Sequence, residues 1–282
     1  MLLRFAHGPE TIRLGDLEVR RLGYGAMRLP GKDVWGEPDD AATAHAVLRR
    51  AIELGVNFID TAWYYGPYVA NRLIAEALKP YPADLVIATK VGVTRDEDRS
   101  WRPALRPEML RVGIEDDLRT LGLEQLPLVH LRWIPAQEVP FESALETLLV
   151  AQREGKIRHI GLSNVTLEQL ELALKSTPIA AVQNVYIAGA NDPAHEAVLV
   201  ACEQRAIPFI PYGPPGVPNA RNNDAVAKRV GCTPAQLTIA YMLARSRVML
   251  PIPGTSKVTH LEDNLGAVHV AIDAATLTEL SH

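Results

Sequence analysis

Asp60 and Lys90 each stand at the end of a short apolar run, the first closing "VNFID" from Val56 and the second closing "LVIATK" from Leu85. The pattern repeats at His130 in "LPLVHL", at Ser163 and Asn164 after "HIGL", at Gln183 in "IAAVQNV" and at Tyr212 in "IPFIPY". A carboxylate and an ammonium buried side by side neutralise each other. A phenol with an ordinary pKa of about 10 moves toward neutrality when a cation lies within about 4–6 Å. Lys90 beside Tyr64 or Tyr65 of "NFIDTAWYYG" would therefore make a proton-exchanging tyrosine, and His130 could polarise a substrate oxygen by hydrogen bonding. Each residue also has a plainer use. Asp60 can cap the helix entered at "DTA", Lys90 can reach for solvent, and His130 can be a core imidazole. Seven such groups in chain order, each after an apolar run, favour the chemical reading.

The elements between them explain how they would meet. Eight apolar runs, beginning at Arg21, Val56, Leu85, Leu126, His159, Ile179, Ile207 and Val248, are short enough for strands buried on both faces. Helical patterns alternate with them. "DDAATAHAVLRRAIELG" opens on acids and stops at Gly55, and "RPEMLRVGIEDDLRTLG" has Pro107 in its first turn and ends at Gly122. "PFESALETLLVAQREG", "DPAHEAVLVACEQRA" and "TPAQLTIAYMLARS" follow suit, and "NVTLEQLELALKS" carries a capping box from Thr166 to Gln169. The alternation predicts an α/β fold, a closed (β/α)8 barrel formed as one domain over residues 1–282, with the carboxyl ends of the strands converging on one mouth. "TIRLGDLEVRRLG" reads as an N-terminal hairpin turning at Gly15-Asp16 and lying across the barrel floor. A doubly wound dinucleotide fold is excluded. "GYGAMR" has Arg28 where a third glycine belongs and leads into "LPGKDVWG", not into a helix.

The 282 residues are 48% hydrophobic and 22% charged, with a net charge of −4 and a pI near 6.1. Nothing in that balance asks for nucleic acid or an anionic membrane. Cys202 and Cys232 form no metal or redox motif, no metal site is expected, and the N-terminus lacks a signal-peptide core. A cytoplasmic protein acting on a small molecule is expected, and a monomer would suffice.

With these residues in place, the chain resembles the aldo-keto reductase family. "NFIDTAWYYG" is similar to that family's Asp-Thr-Ala-x-x-Tyr-Gly signature, and "GKIRHIGLSN" to its Gly-x-Ser-Asn segment. "AVQNVY" and "PIPGTSKVTHLEDNLGA" resemble its glutamine strand and its cofactor-phosphate segment. The resemblance implies reduction of an aldehyde or ketone by NADPH, with Tyr65 as proton donor, Tyr64 on the substrate side, and Asp60, Lys90 and His130 completing the catalytic set. It further implies that Ser163, Asn164 and Gln183 hold the nicotinamide carboxamide of NADPH/NADP+ and that Tyr212 stacks on the ring. Gly254, Thr255, Ser256 and Lys257 would hold the 2′-phosphate, with His260 where many relatives carry arginine and Asn264 against adenine. Lys257 is a permanent point charge and His260 a conditional one, so the preference for NADPH should shrink as pH rises.

Departures from the family pattern concern the substrate side. "GPPGVPNA" after Tyr212 is shorter than the cofactor-covering loop of many relatives, Ile187 follows Tyr186 where asparagine is frequent, and "TLTELSH" reads as an ending without a long tail. Specificity is then expected from Trp35, Trp63, Tyr64, Trp101 and Trp133. Two alternatives share the scaffold: reduction of C=N, where a protonated imine asks less of Tyr65, and a nicotinamide-binding regulatory subunit with little turnover.

Overall fold

The computed structural model describes residues 5–134, 139–187, 192–213 and 223–281. The chain enters through an antiparallel hairpin, β1 (Thr11–Leu14) and β2 (Leu17–Arg20), in which Leu14 faces Leu17 across a turn with Gly15 at φ +64°. Then follow β3 (Tyr24–Gly25), α1 (Ala41–Glu53), β4 (Phe58–Asp60), α2 (Val69–Leu78) and β5 (Val86–Val91). A second hairpin, β6 (Val93–Arg95) with β7 (Trp101–Pro103), precedes α3 (Pro107–Leu121), β8 (Leu126–Arg132), α4 (Phe141–Arg153) and β9 (Ile157–Ser163). The described chain closes with α5 (Leu167–Leu174), β10 (Val182–Gln183), α6 (Pro193–Arg205), α7 (Asn223–Val230), α8 (Pro234–Arg245), α9 (Val258–Gly266) and α10 (Ala274–Ser281).

Six strands form a parallel sheet in the order β10-β9-β8-β5-β4-β3. Backbone pairing carries it round. Phe209 bridges Val182 on one side and Met249 on the other, and Gly23 N–H donates to Pro251 O at 2.9 Å. The runs from Ile207 and Val248 thereby serve as the seventh and eighth staves of a (β/α)8 barrel. "GYG" is a closing seam: a Cβ on Gly25 would sit 2.7 Å from Ile252 O, and one on Gly23 would sit 2.9 Å from Phe58 O. Only glycine lets the first stave approach both its neighbours, the second and the last, so closely.

The hairpin seals the floor. Leu14 and Val19 pack with Phe58 and Val86, the first residues of β4 and β5, and with Leu128, Ile210 and Leu250. Helices start and stop where their caps dictate. The Asp40 side chain accepts from Thr43 N, and Gly122 ends α3 in the left-handed region at φ +60°. Full capping boxes at Thr166/Gln169 and Thr233/Gln236 open α5 and α8. The β6–β7 hairpin is the element that sequence patterning does not announce, because "TRDEDRSWRP" is charged throughout and its exposed strand buries no apolar face. No helix among the described residues is long and apolar enough to cross a membrane.

Between the sheet and its helical layer lies a buried polar junction. Thr61 Oγ1 donates to Asn71 Oδ1 (2.8 Å), and Asn71 Nδ2 donates to Asp117 Oδ1 (2.6 Å) and Thr120 Oγ1 (3.2 Å). Thr89 Oγ1 donates to Asp117 Oδ2 (2.7 Å). Thr61 and Thr89 adjoin Asp60 and Lys90, so this junction grips the outer face of both strands while their alternate side chains point inward. Burial pushes the Asp117 carboxyl up to about 8, against the hydrogen bonds of Thr89 and Asn71. An unfolded aspartate titrates near 3.9, so from about pH 4 to 8 the folded chain binds more protons than the unfolded one. Stability from Asp117 is complete below the unfolded value and is lost as pH rises through the folded one. In denaturant unfolding, Asp117→Asn should remove that loss, the two proteins diverging by about 1.4 kcal/mol for each pH unit crossed. Parallel stability curves from about pH 5 to 8.5 would mean that Asp117 stays ionised at its hydrogen bonds.

Candidate active site

Strand register brings the chemistry together. Lys90 on β5 is paired with His130 on β8, Arg132 with Ser163 on β9, and Ser163 with Gln183 on β10. Lys90 Nζ donates to Asp60 Oδ2 at 2.7 Å and to Thr61 O at 2.8 Å, and both charged side chains are sealed from solvent. Burial pushes the Asp60 carboxyl up, and the Lys90 charge acts against that rise.

Tyr65 adjoins the pair, with Lys90 Nζ 5.1 Å from its ring centroid. Its pKa moves opposite to the sequence expectation. Burial, followed by the Asp60 charge, raises the phenol well above its ordinary value, and Arg132 opposes only in part. The physical reason is direction: Lys90 donates to Asp60 and the Thr61 carbonyl, so burial prevails at Tyr65. The result is a protonated phenol, the state a proton donor requires. Tyr64 is equally buried and packs edge-on against Tyr65 and Trp101, each with ring centroids 5.3 Å apart.

His130 also differs in detail. Its Nδ1 lies 3.3 Å from Leu162 O; a carbonyl only accepts, so Nδ1 carries the hydrogen. Burial, then the Lys90 charge, lowers this histidine to about 3, which keeps the ring neutral. Nε2 is thus a bare acceptor, buried without a partner. In this tautomer His130 cannot donate to a substrate oxygen and instead accepts from a hydroxyl. Gly161 makes room for it, since a Cβ there would meet Nδ1 at 2.4 Å.

Ser163, Asn164, Gln183 and Tyr212 gather on the adjoining arc. Ser163 Oγ and Gln183 Oε1 are buried with no partner, a donor–acceptor set suited to an amide. Asn164 is left-handed at φ +61°, and its Oδ1 accepts a short hydrogen bond from the Tyr212 hydroxyl. Sequence reasoning passed over Asn184, whose side chain exchanges hydrogen bonds with Val165 N (3.1 Å) and O (2.7 Å) and whose carbonyl accepts from Tyr212 N (3.1 Å). Its signal was the second half of "QN", readable as ordinary turn chemistry.

A groove of about 830 Å³, whose lining includes none of these mouth residues, is bordered by Gly254, Thr255, Ser256, Lys257 and His260. Its lining also includes Arg28 and Lys32, two cations the sequence displayed in "MRLPGK" without marking their place, together with Asp33, Asp39 and Asp40. Gly254 is required by the seam, as its Cβ would stand 2.6 Å from Gly25 O. Thr255 is pinned by Tyr24, whose hydroxyl donates to Thr255 O at 2.6 Å, and Thr255 Oγ1 accepts from Lys257 N. Asn264 lies one turn past His260 on α9, outside the groove lining.

The tryptophans divide. Trp35 and Trp101 share the Arg95 guanidinium, 5.4 and 4.0 Å from their centroids, and Arg95 is itself fixed by the carbonyls of Asp33, Val34 and Arg99. Trp63 turns instead toward α3, its Nε1 donating to Asp116 at 3.3 Å, and Trp133 packs edge-on against Phe141 at the start of α4. Ile187 is among the described residues, but most of "GPPGVPNA", from Pro214 onward, lies outside them.

Comparison with known proteins agrees with this architecture. The model of the aldo/keto reductase family matches residues 21–282. Pyridoxine 4-dehydrogenase of Escherichia coli K12 is 43% identical over 280 residues, covering 96% of each chain. The thermostable aldo-keto reductase Tm1743, solved with the inhibitor epalrestat, superposes with a TM-score of 0.82 at 28% identity over 95% of this chain and 96% of its own. An aldo-keto reductase of Klebsiella pneumoniae in complex with NADPH shares the fold with a TM-score of 0.78 at 23% identity, over 96% of this chain and 93% of its own. The chain belongs to the aldo/keto reductase family.

Proposed function

We propose that the protein is an NADPH-dependent reductase of aldehydes or ketones in which Tyr65 delivers the proton. The observation that carries this reading is the sealed Lys90–Asp60 pair beside a phenol held in its protonated form. NADPH supplies a hydride when bound. The unpartnered Ser163 Oγ and Gln183 Oε1 suit its carboxamide, and Arg28, Lys32 and Lys257, which share the groove with Asp33, Asp39 and Asp40, are the cations that could meet its phosphates. The protein's own part is then electrostatic and positional. Tyr65 donates to the carbonyl oxygen and gives up its proton as charge develops there, and the Arg132 field opposes the cost of the resulting phenolate. His130 Nε2 accepts a hydrogen bond from the hydroxyl so formed. Lys90 and Asp60, both sealed from solvent, pair across the ends of their strands. Kinship to a pyridoxine dehydrogenase nominates the matching aldehyde, pyridoxal, as a substrate to try first.

Consumption of NADPH against aldehydes, ketones, pyridoxal and cyclic imines tests the reading, with carbonyls expected to turn over and imines to lag. Tyr65→Phe should slow carbonyl reduction by about 10²–10⁴-fold with cofactor binding retained, and Tyr64→Phe far less. Equal losses from the two substitutions would unseat Tyr65.

Cofactor choice follows from the groove. Arg28 and Lys257 present permanent charge to a 2′-phosphate, and His260 adds charge only when protonated. Arg28→Gln and Lys257→Met should each lower the NADPH-to-NADH ratio of kcat/KM by about 10-fold, and the ratio should weaken with salt. His260→Gln should lower the ratio less than either of these substitutions. A ratio indifferent to Arg28 and Lys257 would move the phosphate elsewhere.

A further inference from the structure

Arg21, Arg95 and Arg132 are buried or half-buried in the fold, and the first two hold backbone carbonyls, although Arg21 Nε is itself buried without a partner. Arg21 donates to the carbonyls of His7, Pro9, Leu243 and Ser246, and Arg95 to those of Asp33, Val34 and Arg99. Arg132, the last residue of β8, is placed differently. Its Nε is buried and unpartnered, and among the described residues no carboxylate forms an ion pair with it. The guanidinium carbon lies 5.4 Å from the Tyr212 ring centroid and 5.9 Å from that of Tyr64, so the charge sits between the two aromatic walls that flank Tyr65. Asp60 feels this charge but is already engaged by Lys90.

Arg132 is half-buried, so its guanidinium is partly withdrawn from water without a described counter-ion, and aromatic faces offset only part of that cost. The interaction is completed if the substrate brings the anion. We propose that Arg132 is the anion-binding residue of the substrate pocket, and that preferred substrates are carbonyl compounds bearing a carboxylate or comparable oxyanion within reach of Tyr65. The planar guanidinium can meet two carboxylate oxygens at once, fixing orientation as well as position. A substrate so anchored presents its carbonyl to the Tyr65 hydroxyl in few orientations, which is where the rate advantage arises. This assignment names the substrate class of the site already read as a carbonyl reductase and rests on that reading.

The test pairs ortho, meta and para carboxybenzaldehyde with the corresponding carbamoylbenzaldehydes in wild type, Arg132→Lys and Arg132→Met, with NADPH as reductant. In parallel, benzoate and benzamide are titrated into the enzyme with NADP+, followed by tryptophan fluorescence. At least one carboxylate isomer should exceed its amide by about 10–100-fold in kcat/KM, mainly through KM. The ratio should collapse in Arg132→Met and survive in part in Arg132→Lys, and benzoate should outbind benzamide with the same dependence. Equal handling of carboxylate and amide by an active wild type, with no preference for benzoate, overturns the anion site and leaves carbonyl reduction standing. A benzoate preference that Arg132→Met abolishes, in an enzyme that reduces no aldehyde, supports the anion site and removes the reductase reading. An unchanged carboxylate-to-amide ratio with a raised KM for NADPH in Arg132→Met assigns the guanidinium to the cofactor and overturns the proposal.

Discussion

A lysine and an aspartate sealed from water attract each other strongly, yet each gives up its hydration, and the balance is favourable only when geometry is close and the remaining polar atoms are met. Lys90 and Asp60 meet the first requirement at 2.7 Å, with Thr61 O taking a second Lys90 proton, while Asp60 Oδ1 stays buried and without a partner. Much of the fold can be understood as what this pair requires. On adjacent parallel strands Asp60 of β4 pairs with Ala88 of β5, which leaves Lys90 two residues further along on the same face, and the floor hairpin packs below them. Behind the strands, Asn71 and Asp117 hold the neighbouring threonines, so neither strand can rotate its charge away without breaking buried hydrogen bonds.

The pair also sets the electrostatics of its surroundings. The Lys90 charge joins burial in keeping His130 neutral, and the Asp60 charge joins burial in keeping Tyr65 protonated. One ion pair thereby biases two neighbours in the same functional sense, a phenol that can give a proton and an imidazole that can accept a hydrogen bond. Arg132 stands outside this neutral unit and forms no ion pair with a described carboxylate, whereas in the groove Arg28, Lys32 and Lys257 are set among Asp33, Asp39 and Asp40.

Asp60, Lys90, His130, Ser163 and Gln183 were legible in the sequence because each ends or nearly ends an apolar run, and strand polarity delivers such residues to one mouth. The helix boundaries were legible at Asp40, Thr166 and Gly122, where caps are local chemistry. Protonation states were not legible. Whether Tyr65 rises or falls depends on where the Lys90 protons point, and the tautomer of His130 depends on Leu162 O, thirty-two residues away in sequence. Nor does spacing reveal that Asp117 is buried, since "EDD" reads as a solvated helix face until α3 is docked on β5. Arg95 and Trp101 were obscured for a related reason, as their hairpin is held by the Arg95 contacts with Trp35 and Trp101 and the edge-on packing of Trp101 on Tyr64, not by an apolar stripe.

The claim that one buried ion pair organises the site is tested most directly by a double-mutant cycle on Asp60→Asn and Lys90→Met, measured in both turnover and denaturant stability. If the charges act as a unit, each single change leaves its partner buried and uncompensated. The double mutant should then be no slower than the worse single mutant and should recover stability relative to the sum, with a coupling of about 1–3 kcal/mol. Fully additive losses in both measurements would contradict the account and leave Asp60 as a helix cap beside an independent lysine.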